Sequence, residues 1–329
     1  METPPHSPFR QIGKGACGSV WAADRSGVAS AMKRGDGNPA RSVTHDSVTH
    51  TIIEASFNSV RKQHPHLAPR LNIPAHRELI TADNSQWWDT RKSRFPEEFE
   101  HCNTLITERI LPFGKATRHQ IIDRFCIPGS RDEIKASRNN EDCLLRCYMG
   151  RRKDRFGSPS PFFSLRNKPM QIHQLEGLGL PVVKYAETMA DALAVLYWHA
   201  QVDANDVEFV LAPPREGEEA WGSEVLGPHR LWLLDFDCAK PMSMDDEGIE
   251  QAARAFYRND PYYPRPDGGN EADDELWAVF VKRFLEAGEK VIGVLDLPEK
   301  MVGMLEKLGR ERGAKRADLR RAETGVGSA

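Results

Sequence analysis

The sequence predicts an α+β fold of two lobes, a β-rich N-terminal lobe over residues 1–112 and a helical C-terminal lobe over residues 113–329. Three observations support this division. Residues 10–33 have the pattern of a β-hairpin: a strand enters the glycine-rich loop and continues at residues 19–22, a turn follows at residues 24–27, and a second strand covers residues 28–33. Residues 182–199 repeat apolar side chains at the spacing of a core helix. The chain has 329 residues, 40% of them hydrophobic, and is therefore long enough to bury a substantial core.

The N-terminal lobe begins with the predicted hairpin of residues 10–33. Residues 46–62 place apolar or small side chains on one helical face, which predicts an amphipathic helix that carries Glu54. Residues 63–100 are mostly polar and form an insertion whose order the sequence leaves open. Residues 103–113 predict a strand that leads into a turn. We therefore expect the lobe boundary close to this turn.

The C-terminal lobe is predicted to be built around the helix of residues 182–199. Two short apolar segments follow at residues 207–212 and 231–236, and a loop rich in Pro, Gly and Glu separates them. Further helices are predicted over residues 274–287 and 298–308, and the chain ends in a basic tail.

Composition limits the functional classes. The net charge of −3 gives no overall attraction to nucleic acid, so any such surface must be local. No apolar run approaches the roughly 18 residues that a membrane span needs, and we expect a cytoplasmic protein without a membrane partner. The cysteines contain no CxxC pair and no Cys/His quartet of zinc-site spacing, so no metal site is predicted from them: Cys17, Cys102, Cys126, Cys143, Cys147 and Cys238.

A glycine-rich loop stands at residues 12–21, IGKGACGSVW. Its glycines, which follow the spacing GxGxxG, are Gly13, Gly15 and Gly18. In a dinucleotide-binding fold the third glycine opens a helix, whereas here a strand pattern follows it. A hairpin, a strand ending in Lys33 and a helix with Glu54 match the protein-kinase arrangement, in which Lys33 pairs with Glu54 and reaches the phosphates. The alternative is an ordinary β-turn with a surface lysine.

Two later segments follow in the order of the kinase pattern. They are residues 202–211, VDANDVEFVL, and residues 233–240, LLDFDCAK. On this pattern Asp203 takes the place of the catalytic base, Asp235 that of the metal-binding aspartate, and Glu108 lies in the hinge between the lobes. These motifs make the predicted two-lobe fold protein-kinase-like.

The chain also departs from the kinase pattern. Glu208 stands where the metal-binding asparagine is expected, Asp237 replaces the glycine after Asp235 and Phe236, and no APE-like segment follows. A glutamate binds magnesium, so phosphoryl transfer remains open.

Together the two segments place up to five carboxylates around one cleft, more than two magnesium ions on a triphosphate require. The five residues are Asp203, Asp206, Glu208, Asp235 and Asp237. Such a cluster suits a cationic substrate, above all a guanidinium, which carboxylates bind in a bidentate fork. The alternative for Asp206 and Asp237 is that each caps a turn or faces solvent.

Two basic stretches stand apart from the acidic residues. Residues 146–155 have a local net charge of +4, and residues 300–321 have a net charge of +5. A basic helical face is often only solvated, but both stretches also suit sequence-independent contacts to phosphates. The candidate tRNA-binding residues are Arg151, Arg152, Lys153, Lys315, Arg316 and Arg320.

Over roughly residues 100–285 the chain resembles a fungal family that has long been labelled as zinc-finger-like proteins of unknown function. The segments that carry this resemblance are CLLRCYMGRR from Cys143, FFSLRN from Phe162, MADALAVLYWH from Met189, DANDVEFVL from Asp203 and NDPYYPRP from Asn259. The same family is identified as including the arginine-containing cyclodipeptide synthases, which join arginine to a second amino acid with aminoacyl-tRNA substrates. The resemblance therefore implies arginyl-tRNA and a second aminoacyl-tRNA as partners.

The leading hypothesis is tRNA-dependent synthesis of an arginine-containing cyclic dipeptide, without a cofactor because an aminoacyl ester is already activated. Asp203 is expected to handle the proton, Glu208 or Asp235 to hold the guanidinium, and Lys33 to stabilise an oxyanion or to contact the tRNA terminus. Further substrate contacts are expected from Asp206, Asp237, Glu54 and Glu108. No protein partner is evident from the sequence.

Two alternatives remain open. The first is an ATP- and Mg²⁺-dependent kinase-like phosphotransferase that uses Lys33, Glu54, Asp203 and Asp235. The second is a non-catalytic, pseudokinase-like binding module.

Overall fold

The computed structural model describes residues 8–15, 17–23, 30–35, 38, 41–150, 152, 163–259, 261–266 and 268–325, with side chains in the last helix to residue 315. Its N-terminal part contains a five-stranded antiparallel sheet of order β1-β2-β3-β6-β5. The bounds of these strands are β1 Phe9–Lys14, β2 Gly18–Ala23, β3 Ser30–Gly35, β5 His76–Ile80 and β6 Thr104–Glu108.

The glycine-rich loop joins β1 to β2, as the hairpin pattern predicts. Gly18 has φ = 154°, a backbone conformation that residues with a side chain rarely adopt. A side chain at Gly13 would meet Val20 at 3.4 Å, so the two strands approach each other closely here.

Helix α1, Val43–Gln63, packs beside the first sheet and begins at Ser42, whose side chain accepts a hydrogen bond from the His45 amide. The insertion that follows is ordered. It forms helix α2, Ser85–Asp89, and a short 3₁₀ turn, and it buries Trp88 and Phe95 against the outer face of the sheet. Arg34 fixes this packing because its guanidinium lies over Trp88 and Phe95 at 5.1 and 4.5 Å from the ring centroids.

A second sheet of order β4-β10-β9-β7-β8 lies in the C-terminal part, and its first strand comes from early in the chain. The strands are β4 Leu71–Asn72, β7 Leu145–Tyr148, β8 Lys168–Gln171, β9 Glu208–Ala212 and β10 Arg230–Leu234. The helices around it are α3 Lys115–Phe125, α4 Arg131–Ala136, α5 Ile172–Gly177, α6 Val182–Trp198, α7 Asp246–Arg258, α8 Glu271–Ile292 and α9 Asp296–Gly325.

Helix α6 is the centre of the C-terminal core and is buried over nearly its whole length. Its one buried acid, Asp191, accepts two hydrogen bonds from Arg283 of α8, at 2.6 and 2.9 Å, and one from the Ala68 amide at 2.8 Å. This ion pair holds α6, α8 and the chain before β4 together. The predicted α+β class, with a β-rich N-terminal region and a helical C-terminal region, is confirmed. Among the described residues, no helix has both the length and the apolar character that crossing a bilayer demands.

Candidate functional site

A cavity of about 410 Å³ lies between the two sheets, under the glycine-rich loop. This volume is within the range of small-molecule sites, about 300–1,000 Å³. Six of its apolar lining residues, together called the apolar slot, are Ile12, Val20, Ala31, Leu105, Leu144 and Leu234. Charged residues line the cavity as well, and those around Lys33 are called its charged end; Gly13, Gly15 and Gly18 of the glycine-rich loop also line it.

Lys33 is the centre of the charged end. Its Nζ lies 2.5 Å from Asp46, 2.6 Å from Asp235 and 3.2 Å from Asp237. Burial alone would lower the pKa of Lys33, but the three carboxylates outweigh burial and raise it well above its ordinary value. Lys33 is therefore a fixed cation and not a base.

The predicted pairing of Lys33 with Glu54 is wrong. Glu54 instead accepts a hydrogen bond from the His76 amide at 2.9 Å, on the side of α1 that faces β5. Asp46, two helical turns earlier, takes its place and also accepts from the Phe236 amide at 3.3 Å. The first turn of α1, and not its middle, thus points at Lys33.

Paired strands bring the acidic residues of the second sheet to the cavity. Glu208 opens β9 and lies opposite Leu234, the last residue of β10, so that Asp235 follows directly beside it. Asp206 and Asp235 both adopt left-handed backbone conformations, with φ = 63° and 66°. Such strained conformations concentrate at functional sites because surrounding contacts must hold them.

Glu208 forms an ion pair with Arg146 of β7. Burial is the largest influence on this carboxyl, and nearby Asp235 adds to it, so that the pKa of Glu208 rises to about 7 in spite of Arg146. Glu208 is therefore the cavity carboxyl best matched to proton transfer near neutral pH.

Arg41 spans two of the predicted substrate-binding acids. Its Nη2 lies 2.5 Å from Asp206 and its Nη1 lies 3.0 Å from Asp237. The Asp237 side chain is fully buried, whereas that of Asp206 is 40% exposed. The chain thus already places one guanidinium of its own on this carboxylate pair.

Asp203, the predicted proton-handling residue, does not line the cavity and is 1% exposed. Its carboxylate accepts hydrogen bonds from the amides of Asn205 and Lys240, at 3.0 and 2.9 Å, and from the side chain of Gln251 at 3.0 Å. These contacts tie the loop before β9 to the segment after β10. In this position Asp203 holds the loop that carries Asp206 and Glu208.

Glu108 lies at the end of β6 and lines the cavity. Its carboxylate receives two hydrogen bonds from Arg215, at 2.7 and 2.6 Å, and one from the Ala75 amide at 2.9 Å. Asp142, a further lining acid, binds Arg10 and Arg109. Through these contacts both acids connect the first sheet to segments beside the second.

The acids of the cavity lining all contact cations of the chain, whereas two of the lining cations have no carboxylate partner among the described residues. Each of its six acids contacts a cation of the chain: Asp46, Glu108, Asp142, Asp206, Glu208 and Asp235. Two lining cations, Lys14 and Arg258, are exposed and have no carboxylate partner among the described residues. Lys33 and Arg41 together face four carboxylates, those of Asp46, Asp206, Asp235 and Asp237, so this group of charges is formally net negative. The unpartnered charges of the lining, Lys14 and Arg258, are positive.

The sequence did not single out Asp46 or Arg41. Asp46 shares a helical face with His50, Ile53 and Phe57, all of them buried, and an acid on an apolar face is a signal that could have revealed it. Arg41 gives no comparable signal, because it lies before the helix in a segment without periodicity.

Two groups of described residues have ligand atoms close enough to share a metal ion. They are Asp46, Asp235 and Asp237, and Asp206, Asp237 and Cys238, with atoms within 4.8 Å of one another in each group. Carboxylate oxygens suit Mg²⁺, but in the first group all three carboxylates already contact Lys33.

Of the predicted tRNA-binding residues, the two whose side chains the structure describes, Arg152 and Lys315, do not line this cavity. Arg152 binds Asp273 of α8 at 2.8 Å and also pairs with Glu176. Lys315 is exposed on α9. Arg151 and Lys153 lie outside the described residues, as do the side chains of Arg316 and Arg320.

A family model described as "Zinc finger protein" matches residues 231–295, which cover β10, α7 and α8. No curated protein matches the chain significantly. The matched residues contain one cysteine, Cys238, and no histidine, so they cannot supply the ligands of a zinc finger. The match supports the resemblance to a zinc-finger-labelled family, and its description does not fit the side chains present.

Proposed function

We propose that the protein binds the aminoacylated 3′ end of arginyl-tRNA in this cavity and forms an arginine-containing cyclic dipeptide. One observation carries the proposal: a single cavity is lined by apolar side chains, by ion-paired carboxylates and by two cations, Lys14 and Arg258, that have no carboxylate partner among the described residues. A terminal adenosine with an esterified arginine has matching parts, namely a flat ring, a phosphate and a guanidinium.

We also infer that the two lobes have a protein-kinase-like arrangement. The glycine-rich loop covers a cavity that contains the strand lysine Lys33, an acid of the first long helix and Asp235 after a strand of the second sheet. Asp46 replaces the usual glutamate of this helix as the partner of the lysine.

In the proposed complex the adenine ring lies in the apolar slot. Val20 and Ala31 of the slot belong to the first sheet, Leu234 belongs to the second sheet, and Leu144 directly precedes β7. The terminal phosphate meets Lys14 or Arg258, because these cations of the lining have no carboxylate partner among the described residues.

The substrate guanidinium is proposed to exchange with that of Arg41 on Asp206 and Asp237. Exchange of one guanidinium for another keeps the number of charges and of hydrogen bonds nearly constant, so the cost of burying the cation is small. Arg41 leaves towards the exposed side of Asp206. A fully paired acidic site thus remains accessible to a cationic side chain.

The chemistry consists of two aminolysis steps. The α-amine of one aminoacyl group attacks the ester carbonyl of the other, a C–N bond forms, the ester C–O bond breaks, and the tRNA hydroxyl leaves. The free amine of the dipeptide then attacks its own ester and closes the ring. Glu208 accepts the amine proton, because its pKa of about 7 lets it be ionised at neutral pH.

Lys33 is a permanent cation at the same end of the cavity and stabilises the tetrahedral oxyanion. Cys17 lines the cavity as well, but burial raises the pKa of its thiol to about 12, so it is not an activated nucleophile. We therefore propose direct transfer between two tRNA-bound amino acids.

The test is to incubate the protein with arginyl-tRNA and mixed aminoacyl-tRNAs, without ATP, and to identify cyclic products by mass spectrometry. We expect an arginine-containing cyclic dipeptide from the natural protein and from Arg254→Ala, which removes an exposed cation that does not line the cavity. Lys33→Met should abolish it. Absence of product together with magnesium-dependent ATP binding overturns the proposal.

A second candidate function is ATP-dependent phosphoryl transfer. The observation that favours it is the carboxylate cluster of Asp46, Asp235 and Asp237, which lies beside the glycine-rich loop and has the oxygen ligands that Mg²⁺ prefers. In that case ATP hydrolysis or substrate phosphorylation would require Asp235, and cyclic products would be absent.

A further inference from the structure

A second cavity of about 540 Å³ lies between α9, the residues just after β7 and the segment that follows α7. Gly309 and Gly313, one turn apart on α9, line one wall, and nothing lies within 4 Å of the side-chain position of Gly313. The absence of side chains there opens the face of the helix to the cavity.

Three guanidinium groups line this second cavity, against one lining carboxylate, that of Asp273. Arg152 is held in place by Asp273 and Glu176. Arg265 and Arg312 both lie over the ring of Tyr257, at 4.7 and 5.2 Å from its centroid. Two basic stretches that are about 160 residues apart in sequence, those of Arg152 and Arg312, therefore meet at one cavity.

Arg312 is the most available of the three cations. Its side chain is exposed and has no carboxylate partner among the described residues. The ring of Tyr257 fixes one side of the guanidinium, and its N–H groups remain available to a ligand. A planar, preorganised guanidinium binds phosphate oxygens in a bidentate way.

The two cavities adjoin at the C-terminal end of α7. Arg258 lines the first cavity, while its neighbours Tyr257 and Asn259 line the second. Residues two apart in a chain are separated by at most about 7 Å. A linear polymer whose end lies in the first cavity therefore has only a short distance to cover before it reaches the second.

We propose that the second cavity binds a backbone phosphate of the tRNA whose 3′ end lies in the first cavity, with Arg312 as the principal contact. This inference rests on the proposed function. The adjacency of the cavities favours a polymer over a small phosphorylated compound, because a polymer can contact both cavities at once whereas a small compound would occupy only one of them. Contacts of this kind fix position and carry no base specificity.

Arg312→Ala and Arg310→Ala form a matched pair for the test. Both remove one positive charge from the exposed surface of α9, but only Arg312 lines the cavity. Affinity for uncharged tRNA is measured by filter binding across a series of salt concentrations, and circular dichroism verifies that both variants fold. We expect Arg312→Ala to lower affinity on the order of tenfold at low salt and to reduce the slope of log K against log salt by about 0.7–0.9.

Arg310→Ala should change the affinity less than twofold, and Arg312→Lys should keep most of the salt slope because it keeps the charge. Equal losses for Arg310→Ala and Arg312→Ala, or no loss for either, overturn the proposal, since they would indicate diffuse attraction or none. Calorimetry with inorganic phosphate distinguishes the source. Phosphate binding that depends on Arg312, with unchanged tRNA affinity, assigns the cavity to a small phosphorylated compound and also overturns it.

Binding of uncharged tRNA needs no catalysis, so the two proposals fail separately. An Arg312-dependent salt slope without any cyclic product refutes only the proposed reaction. If the natural protein forms a cyclic product and Arg312→Ala has the same tRNA affinity as the natural protein, only the phosphate site is refuted.

Discussion

Replacement of Glu208 by glutamine gives the sharpest test of the site. Burial and the nearby Asp235 raise the pKa of Glu208 from 4.5 to about 7, because the ion pair with Arg146 lowers it by less than they raise it. In Glu208→Gln the side chain keeps its size and loses its charge. The variant therefore imitates the protonated glutamate at every pH.

The raised pKa of Glu208 determines whether stability rises or falls with pH. The folded protein takes up a proton on Glu208 more readily than the unfolded chain, so the stability from this group is complete below pH 4.5 and is lost as the pH rises through about 7. At about 1.4 kcal/mol for each pKa unit, the loss amounts to about 3 kcal/mol. Relative to the natural protein, Glu208→Gln should therefore gain about 3 kcal/mol between pH 4.5 and pH 8.

The assay is urea unfolding of both proteins at several values of pH in this range. The difference between the two free energies of unfolding is plotted against pH, since groups common to both proteins then cancel. Glu250→Gln, at an exposed ion pair with Arg254, is the matched control for loss of a glutamate charge. A difference for Glu208→Gln that is constant with pH, or that falls as the pH rises, refutes the reasoning.

Three further predictions follow from the geometry. Asp203→Ala should lose about 3–5 kcal/mol of stability in urea unfolding, because two backbone amides and the side-chain amide of Gln251 lose their acceptor. Asp203→Asn should lose less stability and keep its turnover. A stable but inactive Asp203→Asn would contradict the role of Asp203 in holding the loop before β9. Arg41→Ala should bind agmatine about tenfold more tightly in calorimetry, because Arg41 then no longer occupies Asp206 and Asp237. Arg254→Ala is the control. An unchanged affinity of Arg41→Ala for agmatine would refute the exchange of guanidinium groups. Asp46→Asn should lower the free energy of unfolding by about 1–3 kcal/mol more than Glu54→Gln does, and should therefore lower the melting temperature further, because only Asp46 contacts Lys33. Equal melting temperatures for the two variants would show that the ion pair matters little.

Several features of the fold could be predicted from local patterns. The alternation around Gly18 gave the hairpin, and the apolar spacing of residues 182–199 gave the central helix, because both periods depend on neighbours in sequence. Five acids were predicted to share one cleft. Asp206, Glu208 and Asp235 line the cavity, where the pairing of β9 with β10 brings Glu208 and Asp235 together, whereas Asp203 and Asp237 do not line it.

Other features depend on neighbours that are far away in sequence. Which helical acid meets Lys33 depends on the direction in which α1 crosses the sheet, and the pattern alone selected Glu54 instead of Asp46. Asp203 has the motif position of a catalytic group, yet Gln251 and the Lys240 amide, some 40 residues later, engage its carboxylate. No local pattern contains these partners.

By itself, the sequence determined the α+β class, the glycine-rich hairpin, the central helix and five of the charged residues at the cavity, namely Lys33, Glu108, Asp206, Glu208 and Asp235. Only the tertiary structure decided how these charges pair: Lys33 with Asp46, Arg41 with Asp206 and Asp237, and Arg146 with Glu208. The physical reason is that the energy of a charge depends on its distance to other charges and on its burial, and both quantities exist only once distant segments have packed together.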